Sequence, residues 1–341
     1  MKEPENSNHN LVTSSLLETG ISKGLSLRPK KFCEFIGQET VLENVKIMVE
    51  SAKIRGEALG HILLSGPPGL GKTSLSMILA NEIGAGIQVV SGPAIEKKGD
   101  LAAILTNLDE KEVLFIDEIH RLPVAIEEIL YAAMEDYRLD ILVGQGPMAK
   151  TLKIDLSPFT LIGATTKAGQ LSKPLRDRFI GQFNFNFYDK KSLEKMISLN
   201  AKKMSLDIEV SAAKKIADCS RGTPRIANRI LNRVRDFSVV LNQEVVTKEL
   251  LDKALRLMQL SDSGLGPMDI KILKCILHNY SGGPVGIEAL SATLSEDRNS
   301  IEDVYEPFLL KEGYLLRTPR GRLISDKAKS YLCTIGHKEN F

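Results

Sequence analysis

One stretch constrains this chain more than any other: Gly66-Pro67-Pro68-Gly69-Leu70-Gly71-Lys72-Thr73. It follows the apolar run His61-Ile62-Leu63-Leu64 and opens a helical pattern over residues 74–83. Strand, glycine loop and helix in that order form a phosphate cradle. The glycines let backbone N–H groups converge on phosphate oxygens where a side chain would block them, and the helix start adds positive potential. Lys72 supplies a cation for the β- and γ-phosphates, and Thr73 supplies a hydroxyl for Mg2+. Gly69, Gly71, Lys72, Thr73 and Ser74 are the expected nucleotide contacts.

Such a loop needs a parallel sheet, and the apolar runs provide one. Residues 88–90, 113–116, 160–162 and 183–187 alternate with helical patterns, which reads as a βα array. The run Val113-Leu114-Phe115-Ile116 ends in Asp117-Glu118. Asp117, at a strand's carboxyl end, is placed to hold Mg2+ through water, and Glu118 to take a proton from an attacking water. Taken alone, two acids there are equally a helix N-terminus favouring negative charge. Thr165 and Thr166 end the run from Thr160, as water-orienting hydroxyls or simply as a β-branched strand end. Pro174-Leu175-Arg176-Asp177-Arg178-Phe179 offers two guanidiniums, either an ordinary ion-pair cluster or a source of charge for a γ-phosphate. Gly222-Thr223-Pro224-Arg225 starts a further helix, with Pro224 at its first position. Arg225 is near enough to the helix start to reach a nucleotide, whereas Arg229 and Arg233 read as a solvated face.

At about 150 residues per domain, 341 residues suggest two or three domains. The pattern turns wholly helical from residue 190 to 260, and a turn-rich linker follows at 261–267. Three domains result: residues 1–187 with a tail at 1–24, 188–260, and 261–341. Hydrophobic residues at 43% and charged residues at 26% fit a globular chain and exclude disorder or a disulfide framework. Polar residues 1–10 and the lack of a long apolar run argue against export or a membrane span. Cys33, Cys219, Cys275 and Cys333 stand singly, as reduced thiols of a cytoplasmic protein.

The net charge of +2 hides a local asymmetry. Residues 261–341 carry a net −1, yet residues 317–329 carry +4. There, residues 313–325 read as two short strands joined by a Pro/Gly tip after three helices, the layout of a winged helix. Guanidiniums on a wing contact phosphates rather than base edges. A solvated basic hairpin is the other reading of the same charges.

Together, residues 66–73, 114–121, 163–166, 174–179, 222–228 and Arg317-Thr318-Pro319-Arg320-Gly321-Arg322 resemble the bacterial Holliday-junction branch-migration motors of the AAA+ ATPase family. The resemblance covers nearly the whole chain from Leu27. It implies an α/β AAA+ P-loop domain, a helical lid and a C-terminal winged-helix head, assembled as a hexameric ring that hydrolyses ATP with Mg2+. It implies action on duplex DNA at four-way junctions in recombination, repair and the SOS response, with a RuvA-like partner and a RuvC-like resolvase. By the same resemblance Leu27, Arg28, Glu135, Asp136, Tyr137, Tyr188 and Arg225 contact the nucleotide. Asp117 and Glu118 are its acidic pair, Thr166 beside Thr165 is sensor 1, and Arg225 is sensor 2. Arg178, or else Arg176, is an arginine finger acting on a neighbour's ATP. Arg317, Arg320 and Arg322 contact DNA, and Leu152 and Ile154 form the apolar tip of a partner-docking hairpin. One departure stands out, Ile180 where the family has glycine, which suggests altered backbone beyond the finger because isoleucine resists positive φ. A clamp-loader-like ATPase switch and a winged-helix regulator are the rival classes. The basic wing speaks against the first, and the second would need base-specific binding.

Overall fold

The computed structural model describes residues 27–143 and 150–336. The expected tail at 1–24 lies outside them. The chain packs as two units, one running to Met204 and including Thr223–Arg225, the other comprising Ser205–Gly222 and the chain from Ile226 onward.

In the first unit the strands are β1 (Ile62–Ser65), β2 (Ile87–Ser91), β3 (Val113–Asp117), β4 (Arg138–Val143), β5 (Lys150–Asp155), β6 (Thr160–Thr165) and β7 (Gly181–Asn184). Five of them form one parallel sheet in the order β2-β3-β6-β1-β7, and β4 and β5 pair separately as an antiparallel hairpin. Helices α1 (Glu39–Arg55), α2 (Lys72–Ile83), α3 (Lys98–Thr106), α4 (Val124–Asp136), α5 (Lys173–Asp177) and α6 (Lys190–Lys203) complete the unit.

Strand β3 shows why this sequence makes a covered parallel sheet. Val113, Leu114, Phe115 and Ile116 are all buried, so the strand needs protein on both faces and does not alternate. Burying each large side chain contributes about 1.5–3 kcal/mol as an upper bound. The strand order puts β6 between β3 and β1. The carboxyl ends of β1, β3 and β6 are therefore neighbours, and they carry the glycine loop, Asp117 and Thr165 respectively. Ligands bind at such ends in open parallel sheets.

Helix α6 follows the expected boundary near residue 187. Helix α6 packs with the first unit, where Lys203 Nζ meets the Glu34 carboxylate at 3.1 Å.

The second unit holds β8 (Asp207–Ile208), α7 (Val210–Cys219), most of α8 (Pro224–Val240), β9 (Val245–Val246) and α9 (Lys248–Leu257). Next come α10 (Pro267–Asn279), α11 (Ile287–Leu294), α12 (Arg298–Ser300), a π-helical turn (Ile301–Tyr305) and α13 (Glu306–Lys311). The hairpin β10 (Leu315–Thr318) and β11 (Gly321–Ile324) precedes α14 (Asp326–Gly336). Its helices and two-stranded wing match the expected winged-helix layout. An apolar cluster including Ile272, Leu290, Leu309, Leu315 and Ile324 holds the wing's root to its helices.

Lid and head meet at a buried ion pair. The Arg221 guanidinium donates to both oxygens of Asp269, its Nε donates to the Gly264 carbonyl at 2.8 Å, and its plane lies 4.6 Å from the Phe308 ring centre. Asp269 also accepts from the Gly266 N–H at 2.7 Å. The cysteines form no disulfide, and burial pushes the Cys219 thiol up to about 11. Removing one partner of a buried pair strands the other charge, which costs about 3–5 kcal/mol. Arg221→Met should therefore lower full-chain stability in urea unfolding by about 3 kcal/mol or more, and Arg221→Met combined with Asp269→Leu should restore most of it.

Candidate functional site

Backbone geometry builds the nucleotide cradle. Gly69 and Gly71 adopt φ of 79° and 105°, the left-handed region that only glycine enters at little cost. Space closes the same positions. A Cβ on Gly69 would lie 2.9 Å from both Arg225 Cβ and Thr223 Cγ2, and one on Gly71 would lie 3.0 Å from Phe35 Cζ. Lys72 is buried and donates to the carbonyls of Gly66 at 2.7 Å and Pro67 at 3.0 Å. Burial lowers its pKa, Asp117 and Glu118 oppose that shift, and Arg225 reinforces it. An anionic phosphate there would restore the balance toward the ammonium.

Several expected contacts gather on this loop. The Tyr188 hydroxyl, pushed above its ordinary range by burial, donates to the Leu70 carbonyl at 3.2 Å. Arg225 N–H donates to the Gly69 carbonyl at 3.3 Å. Arg28 Nη1 lies 3.8 Å from Met77 Sδ on α2, the helix that begins with Lys72, Thr73 and Ser74. Leu27 precedes it, half-buried. Cradle, lysine and flanking cation fit a nucleotide triphosphate, while Thr73 and Asp117 are the oxygen donors that Mg2+ prefers.

At the end of β3, Glu118 adopts φ of 51° and its N–H donates to Asp117 Oδ1 at 3.0 Å. This turn separates the two carboxylates. Thr166 Oγ1 donates to Glu118 Oε2 at 3.2 Å, and His120 Nδ1 lies 3.2 Å from the same oxygen. His120 Nδ1 is also 3.0 Å from Thr165 Oγ1, which accepts from the Lys167 N–H at 2.9 Å. Sequence reasoning gave His120 no role. Its only signal was its place two residues beyond Glu118. Phe35, which closes the loop at Gly71, carried none.

Arg178 has different neighbours. It pairs with Glu135 and lies 5.7 Å from the Tyr131 ring centre, while its buried Nε has no hydrogen-bond partner. The expected segment Glu135-Asp136-Tyr137 thus meets the arginine at the end of α4. Tyr137 stacks edge-on against Phe159, with centroids 5.8 Å apart. Arg176 lies two residues earlier, within α5, and its carbonyl accepts from Gln182 at 3.0 Å. Ile180 does not adopt positive φ, and it turns its side chain outward, 80% exposed. Gly181 provides the close approach instead, since a Cβ there would lie 2.9 Å from Phe183 Cε2.

Two expected placements need correction. Leu152 and Ile154 are not the hairpin tip. Ile154 pairs with Leu139 near the base and packs against the core, because its face of the hairpin meets the body of the unit there. Leu152 is 52% exposed and pairs with Ile141, and residues 144–149 lie outside the described residues. On the wing, Arg317 and Arg320 are exposed, but Arg322 is 5% exposed. Its backbone exchanges hydrogen bonds with Val285 at 2.8 and 3.0 Å. Its guanidinium donates to Glu306 Oε2 at 2.8 Å and Glu302 Oε1 at 2.7 Å. Glu302 and Glu306 thus take a guanidinium that was expected to face DNA.

Comparison with known proteins agrees with this layout. Residues 27–184 match the Holliday junction DNA helicase RuvB P-loop domain, 188–261 the RuvB AAA lid domain and 262–333 the RuvB C-terminal winged helix domain. The chain belongs to the RuvB family. Among RuvB relatives, the Holliday junction branch migration complex subunit RuvB of Myxococcus xanthus is 53% identical over 94% of this chain and 93% of its own length. The RuvB Holliday junction branch migration motor of Thermotoga maritima is 48% identical, with a TM-score of 0.83 over 90% of this chain and 98% of that one. A variant of the same Thermotoga RuvB superposes with a TM-score of 0.84 over the same shares.

The hydroxyl of Thr166 holds a carboxylate and touches no loop atom named above. Thr166→Val should therefore lower ATP turnover at least tenfold while leaving the affinity for a fluorescent ATP analogue within about threefold, as steady-state kinetics and titration would show.

Proposed function

We propose that this chain is an ATP-driven motor that moves Holliday junctions along duplex DNA, working in the cytoplasm as a hexameric ring. One observation carries the reading: a glycine cradle, a divided carboxylate pair and Arg225 converge in a chain whose three segments match RuvB domains in order.

Lys72 and the N–H groups of Gly69, Gly71, Thr73 and Ser74 hold the phosphates, and Thr73 and Asp117 hold Mg2+. When bound, Mg2+ neutralises charge that develops between the β- and γ-phosphates. Glu118 accepts the proton of the attacking water, and Thr166 and His120 orient its carboxylate. Arg178 serves the neighbouring subunit's ATP, and its unbonded Nε and exposed partner Glu135 support that reading. Arg225, tied to the loop through Gly69, connects nucleotide state to the lid. Leu27, Arg28, Tyr188 and the segment Glu135-Asp136-Tyr137 complete the nucleotide environment.

The β4–β5 hairpin, with Leu152 exposed, docks a RuvA-like protein, and a RuvC-like resolvase follows on the same junction. Arg317 and Arg320 grip DNA phosphates, and Arg322 stands behind them at the wing's root. Phosphate contacts suit a motor that crosses arbitrary sequence, because they carry no base preference. The activity serves recombination, repair and the SOS response.

Glu118→Gln keeps the shape of the site and removes the base. Its ATP affinity should stay within about threefold of wild type while turnover falls by about 10² or more. Wild-type turnover in this variant would remove Glu118 from the mechanism.

A further inference from the structure

Two of the wing's arginines, Arg317 and Arg322, share a pair of carboxylates. Arg317 and Arg322 are direct cross-strand partners in the β10–β11 register, so their side chains share one face. Like charges directly opposite one another repel. Two carboxylates answer this repulsion. Glu306 is 2% exposed and bonds Arg322 through Nε and Nη2. Glu302, on the π-helical turn, is more accessible: its Oε1 lies 2.7 Å from Arg322 Nη2 and 3.7 Å from Arg317 Nη2. Arg298 steadies it from the other side, with Nε 3.3 Å from Glu302 Oε2 and Nη1 2.7 Å from Glu288 Oε1. Burial pushes the Glu302 carboxyl up, but the hydrogen bonds from Arg322 and Arg298 outweigh it and hold the group below its usual range. Glu302 is therefore ionised at neutral pH.

We propose that Glu302 is a positioning residue that stands in for a DNA phosphate between Arg317 and Arg322 and so sets how tightly the wing grips. The proposal rests on the reading of the wing as a DNA contact. A carboxylate oxygen between two guanidiniums offers the charge and hydrogen-bond acceptance that a phosphate oxygen offers. Arg317 is 60% exposed and its Nε also lies 3.9 Å from Glu306 Oε1, so duplex DNA draws on Arg317 in competition with these carboxylates, of which Glu302 is the accessible one. Arg322 remains on Glu306, which is buried and keeps the wing's root in place. Such competition limits the grip, which suits a motor that must release each phosphate it holds. Arg320, exposed at the two-residue tip between Thr318 and Gly321, lies outside this network and makes first contact.

The test uses the full chain with an arbitrary duplex of about 30 base pairs, titrated by fluorescence anisotropy across salt, with ATPγS present. Glu302→Gln should bind the duplex about 3–10-fold more tightly at low salt. Its plot of log affinity against log salt should steepen by about 0.9, one additional phosphate contact. Unchanged or weaker binding with an unchanged slope would overturn the proposal. If Glu302→Gln lowers the melting temperature, Glu302→Asp retains the charge but shortens its reach. That variant should show a smaller gain in affinity, and affinity at or below wild type would overturn the proposal. The combination of Arg317→Ala and Arg320→Ala separates the underlying reading: it should weaken duplex binding at least tenfold. Full binding in that variant would refute the wing as the DNA contact, whatever Glu302→Gln does.

Discussion

A triphosphate taken partly out of water must find donors for its oxygens, and a glycine loop at a helix start supplies them from backbone N–H groups. Groups of that kind converge only where the chain lacks side chains and turns left-handed, as it does at Gly69 and Gly71. The loop then becomes a surface that other elements can approach closely. Phe35 closes on Gly71, Thr223 and Arg225 on Gly69, and Tyr188 on the Leu70 carbonyl. Sheet order brings Asp117 and Thr165 alongside, because β6 lies between β1 and β3. A single backbone requirement thus accounts for the glycines and for the close approach of the residues that surround the loop.

Around this centre the charges are divided by partner. Lys72 and Arg225 share the loop, Glu118 is held by Thr166 and His120, and Arg178, just past the end of α5, sits with Glu135 of α4. In the second unit the same economy recurs, since Arg221 and Arg322 are each satisfied by buried acids, Asp269 and Glu306. The overall charge of +2 records none of this.

Much of the fold was legible in the sequence because its signals are local. The five sheet strands appear as apolar runs, the loop as spaced glycines, and the wing as two short runs around Pro319 and Gly321. The sequence-read strand at 183–187 is shifted from β7, which covers Gly181–Asn184, since an apolar run does not mark where pairing stops. Long-range partners were not legible. Nothing near Arg322 in the chain announces Glu302 and Glu306, and the resemblance that puts Ile154 at a hairpin tip gives no sign that the hairpin's base meets the core. At Ile180 the side chain is outward, and the tight approach falls on Gly181, one residue later. His120 was invisible because a lone histidine after two acids has no period to mark it.

The central claim is that hydrolysis in this cradle moves a DNA junction. Its most direct test is a synthetic four-way junction with long homologous arms and a RuvA-like junction-binding protein, with arm resolution into duplex products followed over time. With ATP, products should accumulate at a rate that follows phosphate release. With a non-hydrolysable analogue the protein should bind the junction and leave the arms in place. Equal product formation with ATP and the analogue, or phosphate release with no movement of the junction, would contradict the account.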